Sequence, residues 1–367
     1  MKNKTNKKIY FITGGKTGGH IYPALSIALK LCENENNKVF YVGNKKNLEY
    51  ELVQKYPQIE FLSIDFEGMP RKISLKFFLW GFKLISSSFK SIYYILKYKP
   101  DAMLGTGGFI TFPVLFAGYV LNKPIMIHDC DTVPGLVSRV VSRFAKKVSI
   151  NFEEAKKYLK CKNIKINGNP IRNEFFIENN FNKDYNSECI NILVMGGSQG
   201  AMKINEVAID VLEKLINEGY NINVVVQTGV KNYEKALKLL KNKNNSKITL
   251  KPYLDEIWNE IKNAHLVIAR SGSLSLSEIC ATSTPSILIP YPYAASNHQE
   301  KNARELEKTK CSICICEREL NYDVLKKVIV GLLNNRKKLN EMSKNTSIFS
   351  KPNALNDIVN DLTGMVI

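Results

Sequence analysis

Short apolar runs alternate with longer amphipathic stretches along most of the chain. The run at 7–15, KKIYFITGG, reads as a strand ending in glycines. HIYPALSIALKLCE at 20–33 has the periodicity of a helix packed on one side. KVFYVGN, FLSIDF, AMLGTGGF, PIMIHD, KKVSINF and IKINGNP follow as strand-to-loop units, and residues 74–98 form one long amphipathic helix or a helix pair. A segment at 177–188, rich in Asn and charge, breaks the pattern and reads as a linker. The pattern restarts with CINILVMGGSQGA. NVVVQTG, KITLKPYL, LVIARSG, SILIPYP and SICICE then supply strands with helices between them. Such alternation predicts parallel sheets. The expected fold is α/β, with two Rossmann-like doubly wound domains facing across a cleft. Their spans are 1–176 and 189–344, and a final helix within 345–367 packs back on the first.

Composition narrows the classes. Of 367 residues, 44% are hydrophobic and 23% charged, which excludes a disordered or fibrous chain. A net charge of +18 invites anionic partners: nucleic acid, an acidic membrane surface or phosphate-rich substrates. Lysines filling solvated faces account for part of it. Eight cysteines are too few for a disulfide scaffold, and no second Cys or His cluster completes a zinc site. Cys311, Cys314 and Cys316 alternate like a buried strand and read as core thiols of a reducing compartment. No signal peptide and no 18-residue apolar stretch is present, so the expected location is the cytoplasm or a membrane surface.

Three motifs carry chemistry. TGGKTGGHIYPA at 13–24 takes a strand through glycines to the mouth of a helix, where backbone N–H groups and the helix dipole favour anions. Its GKT is not a Walker A loop, because Tyr10 stands where the first glycine belongs. His20 lies beside that loop. GGSQGA at 196–201 repeats the theme, with Ser198 able to hold a phosphate or a sugar hydroxyl. ARSGSLSLSEICA at 269–281 places Ser273 at a helix start and Glu278 about one and a half turns on. A carboxylate there can accept two hydrogen bonds from a ribose diol. The polar stretch Asn297, His298, Gln299 follows the next strand.

GGKTGGHIYPAL, GTGGF, HDCDTVPGL, GNPIR, GGSQGA and RSGSLSLSE with its later NHQEKNA resemble, in order and over about residues 8–365, the motifs of the MurG family. The resemblance implies the GT-B fold and an inverting, metal-independent transfer of GlcNAc from UDP-GlcNAc to the MurNAc C4 hydroxyl of lipid I. It also implies a peripheral location on the cytoplasmic face of the cell membrane, with no cofactor and no nucleic-acid partner. On this reading Leu254 contacts uracil. Ser273, Leu274 and Ser275 hold the diphosphate, Glu278 the ribose and Gln299 the GlcNAc hydroxyls. Arg172, Ser198, Thr17, Gly18 and Gly19 are further donor-contacting positions. Gly107 and Gly108 face the acceptor, His20 is the candidate base, and Asp129 is a possible second acid/base. An aromatic and basic membrane patch is expected at Lys76, Phe78, Trp80, Phe82 and Lys83.

The chain departs from the pattern at two places. Lys16 stands where many relatives carry a third glycine, which is costly if that position needs a positive φ. His128, Asp129, Cys130 and Asp131 replace HEQN. Rival readings are another GT-B glycosyltransferase with a different acceptor, a UDP-GlcNAc 2-epimerase, and a nucleic-acid-binding or P-loop protein. The last leaves the signature around Glu278 unexplained. The epimerase leaves the aromatic-basic segment unexplained.

Overall fold

Apolar runs buried on both faces form parallel strands, because the chain between them returns as a covering helix. The computed structural model describes residues 7–70, 75–176, 183–197, 200–242 and 245–366. Ser198 and positions 177–182 of the expected linker fall outside them, as does the side chain of Lys76.

One sheet holds β1 (Lys8–Thr13), β2 (Asn37–Gly43), β3 (Ile59–Ser63), β4 (Ala102–Gly105), β5 (Ile125–Asp129), β6 (Lys147–Ile150) and β7 (Ile164–Ile166) in the order 3-2-1-4-5-6-7. The other holds β8 (Ile190–Met195), β9 (Ile222–Gln227), β10 (Ile248–Lys251), β11 (Leu266–Ala269), β12 (Ser286–Leu288) and β13 (Ser312–Cys314) in the order 10-9-8-11-12-13. The pairings are parallel in both. Strand order reverses between β1 and β4 and again between β8 and β11. Crossovers leave in opposite directions at such a point, so a crevice opens outside the strands' carboxyl ends. The glycine motifs of the sequence follow β1, β4, β8 and β11, the strands that flank these two points.

The chain divides into two compact units. One is residues 1–171 with Asn353–Ile367, and the other is Arg172–Pro352. The expected boundaries shift for identifiable reasons. Lys183 and Tyr185, assigned above to a linker, pack in the second unit. Lys183 Nζ donates to the carbonyls of Ile261 (3.1 Å) and Ala264 (2.7 Å) and to the Thr284 hydroxyl. Burial pushes its ammonium down to about 7. A polar stretch thus conceals a docked strap. Residues 345–352 stay with the second unit, next to Ser343, whose hydroxyl donates to the Ser283 carbonyl at 2.6 Å.

The last helix, Ala354–Thr363, packs in the first unit against the helix Gly18–Cys32 and buries Ile358 and Leu362. Its Asp361 carboxylate accepts from Lys147 (3.1 Å), Lys165 (2.6 Å) and Asn167 (3.0 Å).

Residues Leu75–Tyr98 make one helix rather than a pair. Ser87, Ser91 and Ile95 face inward and are buried, and the small serines let the helix sit close. Ser87 Oγ donates to the Asp65 carbonyl at 3.2 Å. Trp80, expected on a membrane-facing surface, is on the packed side. It lies against Phe66, and its indole N–H donates to the Glu67 carbonyl at 3.2 Å. Helical spacing, at roughly 100° per residue, sets it about 160° from both Phe78 and Phe82, so the three cannot share a face.

Asp361 generates a prediction about stability. Burial opposes its ionisation, but the hydrogen bonds from Lys165, Asn167 and Lys147 outweigh it and hold the carboxyl below the usual range. A depressed folded pKa gives stability that is present above the unfolded carboxylate pKa and lost as pH falls through the folded one. Asp361→Ala is expected to cost about 2–3 kcal/mol at pH 7 in urea unfolding. The gap from the parent is expected to narrow in acid. A gap that stays constant down to pH 2 contradicts the charge-based clamp.

Candidate functional site

In the first unit the site grows from β1 and β4. The Gly15 N–H donates to the Gly107 carbonyl at 3.3 Å, so the two strand-end loops lie edge to edge. A Cβ on Gly108 would fall 2.6 Å from the Gly15 oxygen, and one on Gly107 would fall 2.7 Å from His20 Nδ1. Both have positive φ, so glycine is required there twice over. Thr17 precedes the helix as its N-cap, and Gly18 and Gly19 open it. The Thr17 carbonyl accepts from His20 and Ile21 at 3.0 Å each.

His20 is held on two sides by Thr106, a residue the sequence reading passed over. The Thr106 hydroxyl donates to the His20 carbonyl at 2.6 Å, and His20 Nδ1 lies 3.0 Å from the Thr106 carbonyl. A carbonyl can only accept, so Nδ1 carries the proton and the lone pair resides on Nε2.

Lys16 has φ +78°, the left-handed conformation that a lysine adopts at a cost of about 1–2 kcal/mol. Its N–H points at the Glu49 carboxylate (3.5 Å), which also accepts from the Asn44 N–H at 3.2 Å. Glu49 is buried beneath the loop and was not anticipated. Its only signal was an acidic residue on the apolar side of LEYELV.

Asp129 is buried, and its oxygens accept from the main-chain N–H groups of Asp131 (3.2 Å) and Gly135 (3.3 Å). Burial, with the nearby charge of Asp131, pushes its carboxyl up to about 6. Its geometry is that of a loop-forming carboxylate. Its neighbour His128 is fully buried, with Nδ1 3.0 Å from Ser149 Oγ and Nε2 3.5 Å from Cys130 Sγ. Burial holds the imidazole down at about 4, hence neutral.

In the second unit the loop after β11 leads into the helix Ser273–Ala281. Its N-cap residue is Gly272, which has no side chain to cap the helix, and Ser273, Leu274 and Ser275 form the first turn, at an end whose dipole favours an anion. The neighbouring Ser271 hydroxyl donates to the Gln299 carbonyl at 2.8 Å, and the Gln299 side-chain oxygen accepts from the Tyr291 N–H at 3.0 Å. Gln299 is therefore anchored beside the helix start. Arg270 is committed elsewhere: it bonds the Ile289 and Pro290 carbonyls and pairs with Glu317. Burial pushes the Glu278 carboxyl up to about 7, against the opposing charge of Arg172. Arg172 itself is exposed, its guanidinium 4.6 Å from the Trp258 ring and 5.5 Å from that of Phe175. Leu254 is buried just after β10, next to exposed Tyr253. In the loop after β8, a Cβ on Gly200 would strike the Thr228 carbonyl at 1.9 Å, and Gly200 has φ +72°. Among the described residues, no cluster of His, Cys, Asp and Glu has a metal-binding arrangement.

Two doubly wound units, each with its ligand loops gathered at a switch point, are the architecture of GT-B glycosyltransferases. The chain belongs to glycosyltransferase family 28: the family's N-terminal domain matches residues 9–150 and its C-terminal domain matches 191–358. It is 38% identical over 358 residues to the UDP-N-acetylglucosamine–N-acetylmuramyl-(pentapeptide) pyrophosphoryl-undecaprenol N-acetylglucosamine transferase of Thermoanaerobacter sp. (strain X514), covering 95% of this chain and 97% of that one. The protein of the same name from Halothermothrix orenii is also 38% identical, over 360 residues, covering 95% and 96%. The crystal structure of Acinetobacter baumannii MurG superposes with a TM-score of 0.83 at 25% identity, over 98% of this chain and 99% of that one. A UDP-GlcNAc 2-epimerase from Neisseria meningitidis, at 14% identity and a TM-score of 0.69, shares the fold over 97% and 100% of the two chains.

The raised pKa of Glu278 sets an expected pH dependence. If Glu278 is the ribose-binding carboxylate that the sequence motif implies, it accepts a diol less well below about 7, where it is protonated, than above it. UDP-GlcNAc, whose diphosphate does not titrate in this range, is expected to bind about tenfold more tightly at pH 8 than at pH 6. Calorimetry on Glu278→Gln is expected to show a flat profile. An equal slope in parent and variant contradicts the diol assignment.

Proposed function

We propose that the protein transfers GlcNAc from UDP-GlcNAc to the C4 hydroxyl of the MurNAc in lipid I, with inversion, giving lipid II for peptidoglycan synthesis. The observation that carries this reading is the His20 imidazole, fixed by Thr106 with its lone pair on Nε2, in a chain whose full-length relatives bear that transferase name. Nε2 takes the proton from the acceptor hydroxyl as its oxygen attacks C1 of GlcNAc. The C1–oxygen bond to UDP breaks on the opposite face. The leaving diphosphate is met by the N–H groups at Ser273, Leu274 and Ser275 and by Arg172, while Glu278 holds the ribose and Gln299 the sugar. Asp129 is a weaker candidate for the base, since both of its oxygens already serve the 129–135 loop.

UDP release measured with a lipid I analogue tests the reading. Turnover is expected only with the analogue present, and His20→Ala is expected to lower kcat by about 10²–10⁴-fold with UDP affinity unchanged. UDP release without acceptor, accompanied by appearance of the 2-epimer, supports the epimerase instead.

The acceptor is a membrane lipid, and the first unit carries a surface that suits it. Phe78, Phe82, Ile85, Phe89, Tyr93 and Leu96 recur every three or four residues on the outer face of the helix Leu75–Tyr98, and Phe78, Phe82 and Phe89 are 70%, 72% and 66% exposed. The neighbouring helix Thr111–Val120, packed against it, adds exposed Phe116 and Tyr119. Lys83 flanks the stripe and pairs with Asp65 at 3.5 Å. No helix among the described residues is long and apolar enough to cross a membrane. An amphipathic helix with aromatics outward and cations beside them supports peripheral docking on the anionic cytoplasmic leaflet.

Replacing Phe78, Phe82 and Phe89 together with Ser is expected to lower partitioning to anionic vesicles roughly a hundredfold or more, at about 1.5–3 kcal/mol for each buried Phe. UDP affinity is expected to be unchanged. Trp80→Ser is expected instead to lower the melting temperature. Flotation of the triple variant equal to that of the parent moves the docking surface elsewhere.

A further inference from the structure

Trp258 is one of two tryptophans in the chain, and it stands on the short helix Ile257–Asn263. That helix touches both halves of the donor machinery: it packs against the helix Ser273–Ala281, which carries Glu278, and against the turn Asn173–Phe175 that follows Arg172. Its far end is fixed, since the Ile261 carbonyl accepts from Lys183 Nζ (3.1 Å) and Thr284 Oγ1 (3.2 Å) and Ile261 is fully buried. The indole is therefore held from below and half-buried, with the Arg172 guanidinium 4.6 Å from its ring.

Stacking engages only the face of a guanidinium. Its N–H donors lie in the plane and stay available to anions. An exposed arginine without such a platform samples many rotamers and loses that freedom when it binds a phosphate. The ring of Phe175, at 5.5 Å and fully buried, adds a second wall. The charge of Arg172 is felt at Glu278, so the arginine lies within electrostatic reach of the proposed ribose site.

We propose that Trp258 is a positioning residue for donor binding: its indole holds the Arg172 guanidinium in a fixed plane so that the in-plane N–H groups meet the donor's phosphate oxygens. This rests on the donor reading above, in which Arg172 serves the diphosphate. A purely structural stack is the alternative, and it predicts loss of stability without any dependence on Arg172.

The test is UDP calorimetry with thermal melts on the full chain. Trp258→Phe keeps an aromatic face, Trp258→Leu keeps apolar packing without one, and each is made with and without Arg172→Ala. Trp258→Leu is expected to raise the UDP Kd about three- to tenfold, while Trp258→Phe stays within about twofold of the parent. Arg172→Ala is expected to raise it about tenfold or more, and adding Trp258→Leu to it is expected to change nothing further. Three results overturn the proposal: an equal loss from Trp258→Leu with and without Arg172, equal behaviour of the Leu and Phe variants, or a lowered melting temperature with UDP affinity intact. If the parent itself fails to bind UDP, the donor reading has failed. If the parent binds but Arg172→Ala costs nothing, Arg172 has been misassigned and Trp258 has nothing to position.

Discussion

Close backbone approach at the switch point of the first sheet is the constraint on which the site depends. β1 and β4 run parallel and side by side, and their following loops must diverge to opposite faces of the sheet within a few residues. The Gly15-to-Gly107 hydrogen bond and the 2.6 Å gap that a Gly108 side chain would leave to the Gly15 oxygen show how little room remains. Two consequences follow from that crowding. Thr106 is pressed against the start of the next helix, where it grips His20 at both backbone and ring. Lys16 is forced into a left-handed backbone, with its N–H directed at a buried carboxylate. The His20 imidazole is thus oriented by the main chain of Thr106, at a place where side-chain freedom is low.

The second unit repeats the scheme with a different purpose. The loop after β8 is tightened by Gly200 against Thr228, and the helix Ser273–Ala281 after β11 starts without a side-chain cap. An uncapped helix start forgoes about 1 kcal/mol that a capping hydrogen bond would contribute. Glu278 also carries a cost. A carboxyl pushed up to about 7 is unfavourable to ionise in the free protein, and an ionised form becomes favourable when diol hydroxyls and a well-placed guanidinium satisfy it.

Much of this was legible in the chain, because the signals are local. Glycine runs after apolar strands and the restart of the pattern at Cys189 mark the two sheets, and the helix over 74–98 shows in its periodicity. What stayed hidden depends on contacts between distant segments. Thr106 looks like a loop threonine until β4 is set beside β1. Trp258 looks like an ordinary helix aromatic until its helix meets the turn after Arg172. Lys183 reads as linker because its polarity says nothing of the three oxygens it reaches, 78 to 101 residues away. Trp80 sits on the packed side, because its phase on the helix points it at Phe66 and not at the exposed stripe. The stripe that is exposed runs through Phe78, Phe82, Ile85 and Phe89.

Part of the +18 charge lies beside that stripe, at Lys83, Lys90 and Lys97. A helix with an apolar outer face would ordinarily be a liability in water, since it invites association. Its inner face holds it firmly through Ser87, Tyr94 and Trp80, each bonded to a backbone carbonyl of the 63–67 segment. The outer aromatics therefore carry no burden of folding. Cations beside them, with Lys90 over Tyr94 and Lys97 over Tyr93, stay at the edge, where a headgroup layer would meet them. The division is physical: the inward face sets where the helix sits, and the outward face leaves its aromatics exposed. A nucleic-acid surface offers phosphates but no apolar layer, and would leave those phenylalanines in water.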